Sequence, residues 1–340
     1  MHDAMLILKG DEVDRLLAGK ERDLIEIARQ AYQAHARGNT SLPHSSFLRF
    51  PENQKNRIIA LPAYIGDGFD VAGIKWVSSF PGNLDSGLDR ASAVLVLNSM
   101  TTGRPFAIME GSIISAKRTA ASAAVAAECL LQDKNIDELA IIGCGLISHE
   151  ILRFLRAAVP TIRNLLLYDL NIERARQFKR ASADLVDRIE IVDRIDTILQ
   201  RAKLISFATT AARPHVLDAT FSSGALILHV SLRDLSPEVI LSARNVVDDA
   251  DHVSREQTSI HLAEQLAGNR SFISCSIGDI LIGKCIPEDK GRCLTIFSPF
   301  GLGILDIAVG RYIYQLASEA GIGTQIESFL PRPWAERASV

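Results

Sequence analysis

The sequence predicts an α/β fold in which a doubly wound parallel sheet follows a region of mixed strands and helices. From residue 138 onward, short apolar runs alternate with helical segments. Strands that are buried on both faces and separated by helices are typical of a parallel sheet covered on each side. The predicted strands are LAIIG, LLLYD, IEIVD, LISFAT, LILHVS and NVVDD, and helical stretches such as NIERARQFKRASADLV and RIDTILQRA lie between them.

The first 130 residues follow another pattern. A helix is predicted over 21–37, and NRIIALPAYIG and DVAGIKWVSS are predicted strands because β-branched and aromatic residues stand between glycine and proline. Two further strands meet at a turn containing Thr102 and Gly103, and an alanine-rich helix follows over about 115–131. A last helix, ILDIAVGRYIYQLASEA, is expected to fold back onto this first region.

The composition is that of a globular protein without a strong overall charge. Of its 340 residues, 47% are hydrophobic and 23% are charged, and the formal net charge is −3. This balance favours neither a nucleic acid nor a membrane surface as a partner. The N-terminal segment has no basic region followed by a long apolar run, and the five cysteines form no C-x-x-C pair. We therefore expect reduced thiols and a cytoplasmic location.

A glycine-containing turn marks the start of the parallel sheet. Gly143 and Gly145 directly follow the strand LAIIG and open the helix LISHEILRFLRAA. A tight turn, a close approach of the backbone and uncapped helix amides are what the pyrophosphate of a dinucleotide requires. Ser148 stands where a third glycine or alanine is usual, and serine is small enough for the same packing. The pattern predicts a Rossmann-type domain, and the alternative is a glycine turn that binds no dinucleotide.

An acid at the end of the next strand indicates which dinucleotide this turn would bind. Asp169 closes the strand LLLYD, 26 residues after Gly143, where a spacing of about 20 is usual. A carboxylate at this position binds the ribose hydroxyl groups and repels a 2′-phosphate, which favours NAD over NADP. Arg174 lies nearby, so this preference is not absolute.

Three charged residues are candidates for chemistry outside this motif. Lys75 lies between Ile74 and Trp76 in an apolar strand. A lysine in such surroundings can bind a carboxylate or act in acid–base chemistry, and the alternative is a side chain that extends outward to solvent. Arg118, at the predicted start of the alanine-rich helix, suits an anion there, and ordinary solvation is the alternative. Asp234 follows the strand LILHVS at the edge where α/β sheets bind ligands, although it could instead cap a helix.

Other kinds of chemistry lack support in the sequence. The patterns H-E-x-x-H and G-x-S-x-G and a cluster of cysteines and histidines are all absent, so no metal site and no serine hydrolase is expected. His229, on the strand LILHVS, is the most suggestive histidine, and a position in the core or a cleft is the alternative to a catalytic role.

Several blocks of the sequence, in this order, resemble the ornithine cyclodeaminase/mu-crystallin family. These blocks are LPAYIG, GIKWV, TGRPFAIMEGSIISAKRTAASA, AIIGCGLIS, LLLYD, ISFATT, VSLRD and FSPFGLGILDIAVGRYIYQLASEAGIGT. The resemblance implies a second, α+β domain that is built from both chain ends, binds substrate and forms a dimer, with the Rossmann-type domain between. The expected domains are 1–119 plus 304–340 for the former and 120–303 for the latter.

The resemblance also implies roles for individual residues. Lys75 and Asp234 are the catalytic candidates, and either one could be the general acid–base. Arg49, Lys75 and Arg118 would bind substrate carboxylates. The residues expected to bind NAD are Arg118, Thr119, Gly143, Gly145, Leu146, Ile147, Asp169, Thr209, Ser231 and Ser298.

Two positions depart from the cyclodeaminases of this family. Leu232 and Arg233 replace a Gly-Gly pair before Asp234, and Arg90 stands where those enzymes carry threonine. An added arginine beside a carboxylate site suits a substrate with more carboxylates than ornithine, and a solvated surface arginine is the alternative. The segments GIKWVSSFPGN, DRASAVLVLN and IIGCGLI are most similar to members that act on N-[(2S)-2-amino-2-carboxyethyl]-L-glutamate, a tricarboxylate.

This closer resemblance implies NAD-dependent oxidative cleavage of that secondary amine to L-2,3-diaminopropionate and 2-oxoglutarate, a step in siderophore or antibiotic biosynthesis. It also implies a homodimer, and a synthase dependent on pyridoxal phosphate (PLP) as the pathway partner. Three alternatives stay open: an ornithine cyclodeaminase, a reductase of cyclic imines or opine-type amines, and a non-catalytic cofactor-binding protein.

Overall fold

The computed structural model of the chain describes residues 4–286 and 293–337, and these form two compact units. Within the described residues, the first unit contains 4–20, 39–115 and 303–337, and the second contains 21–38, 116–286 and 293–302. Both chain ends therefore belong to one unit.

The predicted strands lie close to their expected positions, and the structure adds six that are not predicted. In chain order they are β1 Met5–Leu8, β2 Thr40–Ser41, β3 Ser46–Phe50, β4 Asn53–Ile65, β5 Val71–Ser79, β6 Ala91–Ser99, β7 Pro105–Glu110, β8 Glu138–Ile142, β9 Asn164–Tyr168, β10 Arg188–Ile191, β11 Leu204–Phe207, β12 Leu226–His229, β13 Arg244–Val247, β14 Ile273–Ser276, β15 Thr295–Ser298 and β16 Thr324–Ile326. The six additional strands are β1, β2, β3, β14, β15 and β16. A 3₁₀ helix, Pro81–Ser86, joins β5 to β6.

The helices range from one turn to five turns. They are α1 Gly10–Leu17, α2 Glu21–Ala36, α3 Ser112–Leu130, α4 Leu146–Ala158, α5 Ile172–Ala181, α6 Ile195–Arg201, α7 Pro237–Leu241, α8 Ala250–Val253, α9 Ser259–Ala267, α10 Ile277–Leu281, α11 Gly303–Ala320 and α12 Trp334–Arg337. Of the helices in the described part of the chain, none has the length and apolar character to cross a membrane.

The first unit is built on one mixed sheet with the order β16-β1-β7-β6-β5-β4-β2, and β3 pairs with β4 beside this path. Its neighbouring strands are antiparallel except β1 and β7. The helix α11 packs against β4, β5 and β6, so the last predicted helix does fold back onto the first region. Gly73 permits this packing, because a Cβ atom there would lie 2.3 Å from the Val96 carbonyl oxygen and 3.1 Å from Cγ2 of Ile307.

The two faces of this sheet differ in what covers them. Side chains alternate between faces along a strand, so Lys75 on β5 shares the face towards α11 with Gly73 and with Leu95, its partner on β6. Trp76 and Val94 are paired across the same two strands, lie on the opposite face, and are 44% and 43% exposed.

The second unit is built on a sheet with the order β10-β9-β8-β11-β12-β15-β13-β14, in which every pair of neighbours runs parallel. The prediction of a doubly wound parallel sheet is confirmed. The strand order reverses at β8, between β9 and β11, and ligands of such sheets bind outside the carboxyl ends of the strands at this point. The short strands β14 and β15 are absent from the predicted set, because ISCS and TIFS carry polar residues in place of a continuous apolar run.

The helix α2 belongs to the second unit, whereas the expected boundaries assign residues 21–38 to the first domain. It packs against α4 and α10. The hydroxyl of Tyr32, buried on α2, lies 2.6 Å from Oγ of Ser122 on α3, and Glu21 bonds Arg153 of α4 at 2.5 Å. Local sequence predicts the helix but not the surface that its apolar face covers. The other boundaries, after Ser115 and before Gly303, lie within four residues of those expected.

Two of the cysteines are paired. Cys275 at the end of β14 and Cys285 after α10 form a disulfide, with their Cα atoms 6.4 Å apart. The expectation of reduced thiols is wrong for this pair, because α10 and the turn after it bring together residues whose sequence spacing matches no familiar motif. Cys129, Cys144 and Cys293 are not disulfide-bonded.

Candidate functional site

The glycine turn after β8 leaves room and donors for a ligand. Gly143 has φ +90°, a left-handed conformation that suits glycine, and a Cβ atom there would lie 2.7 Å from the Ala208 carbonyl oxygen. No heavy atom of the described residues lies within 4 Å of where a Cβ atom on Gly145 would stand. Gly145 is also the N-cap of α4 and has no side chain to accept from its first amides. Open space beside the amides of a helix N-terminus fits a pyrophosphate.

Ser148 replaces the third glycine without opening this turn. It is fully buried on α4, and its hydroxyl donates a hydrogen bond to the Gly143 carbonyl. Burial, followed by the charge of Asp169, raises the pKa of the neighbouring Cys144 thiol to about 12. Cys144 therefore stays protonated at neutral pH and is a packing residue.

Asp169 follows β9 and holds the turn in place. Its Oδ2 accepts a hydrogen bond from the Cys144 amide at 2.8 Å, and its Oδ1 accepts one from the Asn171 amide at 2.8 Å. These bonds hold the carboxylate beside the glycine turn, where an acid that binds ribose is expected. Each carboxylate oxygen has two lone pairs, so one amide bond leaves it able to accept a hydroxyl.

The carboxylate of Asp234 is the centre of a polar cluster at the carboxyl edge of the parallel sheet. Its Oδ1 accepts a hydrogen bond from the Thr209 hydroxyl and lies 3.1 Å from Nε2 of His215. Its Oδ2 accepts a hydrogen bond from the Ser231 hydroxyl and lies 3.2 Å from Nε2 of His229. We call these five residues the Asp234 cluster.

Two neighbouring strands lead into this cluster, and a third supplies a serine beside it. Thr209 follows β11, His229 ends β12, and Ser298 at the end of β15 has its Oγ 3.3 Å from Nδ1 of His229. Because β11, β12 and β15 are adjacent and parallel, their carboxyl ends meet at one edge. Thr209, Ser231 and Ser298 are each expected at the cofactor; the first two bond Asp234 directly, and Ser298 contacts the opposite ring nitrogen of His229.

Asp234 is ionised and inaccessible. Its side chain has no exposed surface. Burial raises the pKa of its carboxyl group, but the hydrogen bonds from His215, His229 and Ser231 outweigh burial and hold that pKa well below its usual range. The role of Asp234 as a general acid–base stays a prediction. His215, whose side chain is 40% exposed, is missed by the sequence analysis, because a histidine in a loop gives no periodic signal.

Lys75 is buried rather than extended to solvent. Its side chain is 2% exposed, and Nζ donates to Oδ2 of Asp306 on α11 at 2.7 Å and to Oγ of Ser115 at 3.1 Å. Asp306 has no exposed surface either. The sequence analysis misses Asp306, because it lies in an apolar helix 231 residues from Lys75.

Arg90 is half-buried at the start of β6. The Nη1 atom of Arg90 donates a hydrogen bond to Oγ of Ser79 at 3.2 Å. Among residues 4–286 and 293–337, no carboxylate pairs with the Arg90 guanidinium. Burial lowers the pKa of its guanidinium below the ordinary value. Ser79 lies four residues after Lys75 on β5 and therefore on the same face of the sheet. A half-buried guanidinium with a neutral partner fits an anion-binding residue better than a solvated one.

Arg118 lies in the second turn of α3 and not at its start. The helix begins at Ser112, three residues before the expected start, and its first amides donate to the carboxylate of Glu110 at 2.6 and 3.0 Å. The predicted anion site at this helix N-terminus is therefore wrong, since a carboxylate of the chain occupies it. The guanidinium instead lies against Gly301, where a Cβ atom would stand 2.8 Å from Nη1 of Arg118.

Arg49, the remaining substrate candidate, and the Leu232-Arg233 pair have the following surroundings. Arg49 is exposed on β3, with its guanidinium carbon 5.5 Å from the ring centroid of Phe47. Arg233 donates to the Glu256 carbonyl oxygen at 2.6 Å. Leu232 has φ +68°, a left-handed backbone conformation that favours glycine.

The other expected cofactor residues lie on helices. Leu146 and Ile147 form the start of α4 beside the glycine turn, and Thr119 follows Arg118 on α3. Their roles stay predictions. In the part of the chain that the structure describes, no group of three or more His, Cys, Asp and Glu side chains is arranged to hold a metal ion.

The strand order, the glycine turn and the acid at the end of β9 make the second unit a Rossmann-type domain. The chain belongs to the ornithine cyclodeaminase/mu-crystallin family, whose model matches residues 5–321. The resemblance noted in the sequence is thereby confirmed.

Individual relatives cover nearly the whole chain. The N-((2S)-2-amino-2-carboxyethyl)-L-glutamate dehydrogenase of Staphylococcus aureus is 29% identical over 97% of this chain and 100% of its own. The Thermococcus litoralis Δ1-pyrroline-2-carboxylate reductase, solved with NADH and L-proline, has a TM-score of 0.88 at 27% identity and covers 95% of this chain and 100% of that one. An archaeal alanine dehydrogenase dimer with bound NAD has a TM-score of 0.87 at 27% identity, covering 96% and 100%.

Replacing Asp306 with asparagine should lower the free energy of unfolding by about 3–5 kcal/mol, because Lys75 would keep a buried charge without its counter-charge. The control is Asp196→Asn, which removes the exposed pair between Asp196 and Arg194 and should leave the unfolding midpoint unchanged. Urea denaturation followed by circular dichroism measures both variants. Equal midpoints for the two would contradict a buried ion pair.

Proposed function

We propose that this protein is an NAD-dependent oxidoreductase acting on the carbon–nitrogen bond of a small amino acid derivative, and that its substrate is N-[(2S)-2-amino-2-carboxyethyl]-L-glutamate. The family and its NAD-bound or NADH-bound relatives support the general activity. The similarity to the S. aureus dehydrogenase supports the particular substrate. The observation that carries this choice is Arg90, a half-buried cation without a carboxylate partner among the described residues.

The cofactor would be held by the groups around the glycine turn. Amides at the start of α4 would bind the pyrophosphate next to Gly143 and Gly145, and Asp169 would accept the ribose hydroxyls. A carboxylate at that position repels a 2′-phosphate, which favours NAD over NADP. When bound, NAD supplies the acceptor for a hydride from the glutamyl Cα of the substrate.

The carboxylates of the substrate would be bound along one face of the first unit's sheet. Lys75 is already neutralised by Asp306, so it positions a carboxylate through hydrogen bonding with little net charge to offer. Arg90 offers a positive charge that no described acid offsets, and charge-assisted bonds from a guanidinium are the stronger kind. The Cα atoms of Lys75 and Ser79 are about 13 Å apart along the extended strand, which suits an elongated polycarboxylate. Arg49, on β3 of the same sheet, is a further candidate; the role of Arg118, in the second unit, rests on the family resemblance alone.

The proposed reaction consumes one water and releases one proton for each hydride removed. The secondary ammonium loses a proton, Cα loses a hydride, and a C=N bond forms. Water then adds to this carbon, and the C–N bond breaks to give 2-oxoglutarate and L-2,3-diaminopropionate. The protein must accept the first proton, remove one from water, and return it to the departing nitrogen. A PLP-dependent synthase would supply the substrate, and the diamino acid would enter siderophore or antibiotic biosynthesis.

We also propose that the protein acts as a homodimer through the outer face of the first unit's sheet. Trp76, Val94 and Leu48 lie on the face opposite Lys75 and are 44%, 43% and 48% exposed. Large apolar side chains gathered on one exposed face are typical of a protein interface. The archaeal alanine dehydrogenase of this fold was solved as a dimer.

Incubation of the purified protein with NAD and the tricarboxylate should produce NADH and 2-oxoglutarate in equal amounts. The measurement combines absorbance at the NADH band with an enzymatic assay of 2-oxoglutarate. L-alanine, L-proline and L-ornithine are the comparison substrates. Faster turnover of any of these, or proline and ammonia from ornithine without net NADH, would contradict the substrate assignment. NADH binding without turnover of any amine or imine would favour a non-catalytic protein.

Arg90→Thr should raise KM for the tricarboxylate roughly ten- to hundredfold, because a charge-assisted hydrogen bond contributes about 1.5–3 kcal/mol. The KM for NAD should not change, since Arg90 lies in the unit without the glycine turn. Arg15→Thr, at an exposed position of α1 in the same unit, is the matched control. An unchanged KM in Arg90→Thr would remove Arg90 from the proposed substrate site.

Trp76→Glu should convert the dimer to a monomer, because a charge buried at an apolar interface has no partner there. Size-exclusion chromatography with light scattering measures the mass of wild type and variant. Glu52→Gln, at an exposed position on the β3–β4 turn, serves as the surface control. A wild-type mass near 37.1 kDa would contradict the dimer.

A further inference from the structure

The Asp234 cluster contains three titratable side chains, and they differ sharply in accessibility. Asp234 and His229 have no exposed surface, whereas the side chain of His215 is 40% exposed. A group that exchanges protons with a substrate or with water has to be within reach of them. In this cluster His215 meets that requirement.

We propose that His215 is the catalytic acid–base of this protein and that Asp234 acts behind it as a positioning residue, an inference that rests on the function proposed above. The sequence analysis considers Lys75 and Asp234 for this task. Lys75 is 2% exposed and bonded to Asp306, and Asp234 is enclosed by four side chains. His215 joins the buried carboxylate to the surface of the second unit.

The geometry of His215 defines which ring nitrogen would carry the proton. Nε2 lies 3.1 Å from Oδ1 of Asp234, and the His215 amide donates to the Asp234 carbonyl oxygen at 2.9 Å. The ring also lies beside Phe207, with centroids 6.5 Å apart. Backbone, ring face and Nε2 are thus all held. Among the described residues, Nδ1 has no hydrogen-bond partner.

The carboxylate selects the tautomer of this imidazole. An ionised carboxylate only accepts hydrogen bonds, so Nε2 carries the hydrogen and Nδ1 of the neutral ring has the lone pair. Nδ1 is therefore the basic atom, and it belongs to the exposed side chain. The hydrogen bonds that keep the pKa of Asp234 well below its usual range maintain its negative charge, so the carboxylate continues to accept from Nε2.

Other charges of the second unit bear on this pair. His229 contacts the second oxygen of the same carboxylate at 3.2 Å. Arg213 and Asp218 lie two residues before and three residues after His215 on the same loop. The cluster thus has one carboxylate shared by two imidazoles, and only one of these is accessible.

The proton path is balanced with His215 as the carrier. Nδ1 first accepts the proton of the substrate's secondary ammonium and passes it to solvent, which its exposure permits. After the hydride has left Cα, Nδ1 accepts a proton from the water that adds to the C=N carbon. The imidazolium then gives that proton to the nitrogen as the C–N bond breaks. The remaining hydroxyl proton leaves to solvent as the C=O bond forms, and the released amine takes up a proton from solvent, so the neutral ring is restored and one proton is released overall.

The test compares His215→Asn and His215→Ala with wild type, using whichever amine the wild-type protein oxidises. Both variants should lose about 10²- to 10⁴-fold in kcat, while the Kd for NADH, followed by its fluorescence, stays within threefold. The wild-type kcat should fall at acidic pH, because a protonated imidazole cannot accept a proton, and this limb should vanish in His215→Asn. Added imidazole should restore part of the activity of His215→Ala.

His261→Gln is the matched control. His261 is a half-buried histidine of the same unit, and its ring bonds Gln257 and Gln265 on or before α9. This variant should keep the wild-type kcat and pH profile. If wild type turns over the amine and His215→Asn retains its kcat and its acid limb, the assignment of His215 is overturned and the proposed function stands. Absence of wild-type turnover with every amine would overturn both.

Discussion

The buried carboxylate of Asp234 is the interaction on which the functional edge of the second unit depends. Removing an ionised carboxylate from water is costly unless donors surround it. Thr209, Ser231 and two histidines supply contacts to it, and they come from the end of β12 and the segments after β11 and β12. Satisfying one charge therefore holds two loops of the sheet in one arrangement. Residue 208, which opens one of these loops, also packs against the glycine turn at Gly143.

In the first unit, a buried charge is stabilised by an opposite charge rather than by neutral donors. Lys75 and Asp306 neutralise each other beneath α11, and the missing side chain of Gly73 lets that helix approach the sheet. Arg90 is bonded instead to the neutral hydroxyl of Ser79, which shares the sheet face of Lys75. This contrast separates their roles: a neutralised lysine can orient a ligand, whereas an arginine without a described counter-charge can also attract one.

The sequence predicts whether a segment is a helix or a strand better than it predicts which other segment that element packs against. The segments 21–37 and 115–131 are helices, as their patterns indicate, yet α2 packs in the other unit and α3 starts early enough for Glu110 to cap it. Periodicity reports which face of an element is apolar, and it does not report what covers that face. The same limit explains the pairing of Cys275 with Cys285, which depends on the path of the chain through α10 and the turn after it.

The sequence by itself determined the α/β class, the glycine turn, the acid at Asp169, and the charged candidates Lys75, Arg90 and Asp234. Each of these follows from local pattern, motif spacing or resemblance. Only the tertiary structure decided which candidates are accessible and what neutralises them. Asp306 pairs with Lys75, which is 231 residues away in the chain. The ring of His215 is held by the carboxylate of Asp234, 19 residues away. Burial and ion pairing are properties of contacts between distant segments, and no local pattern encodes them.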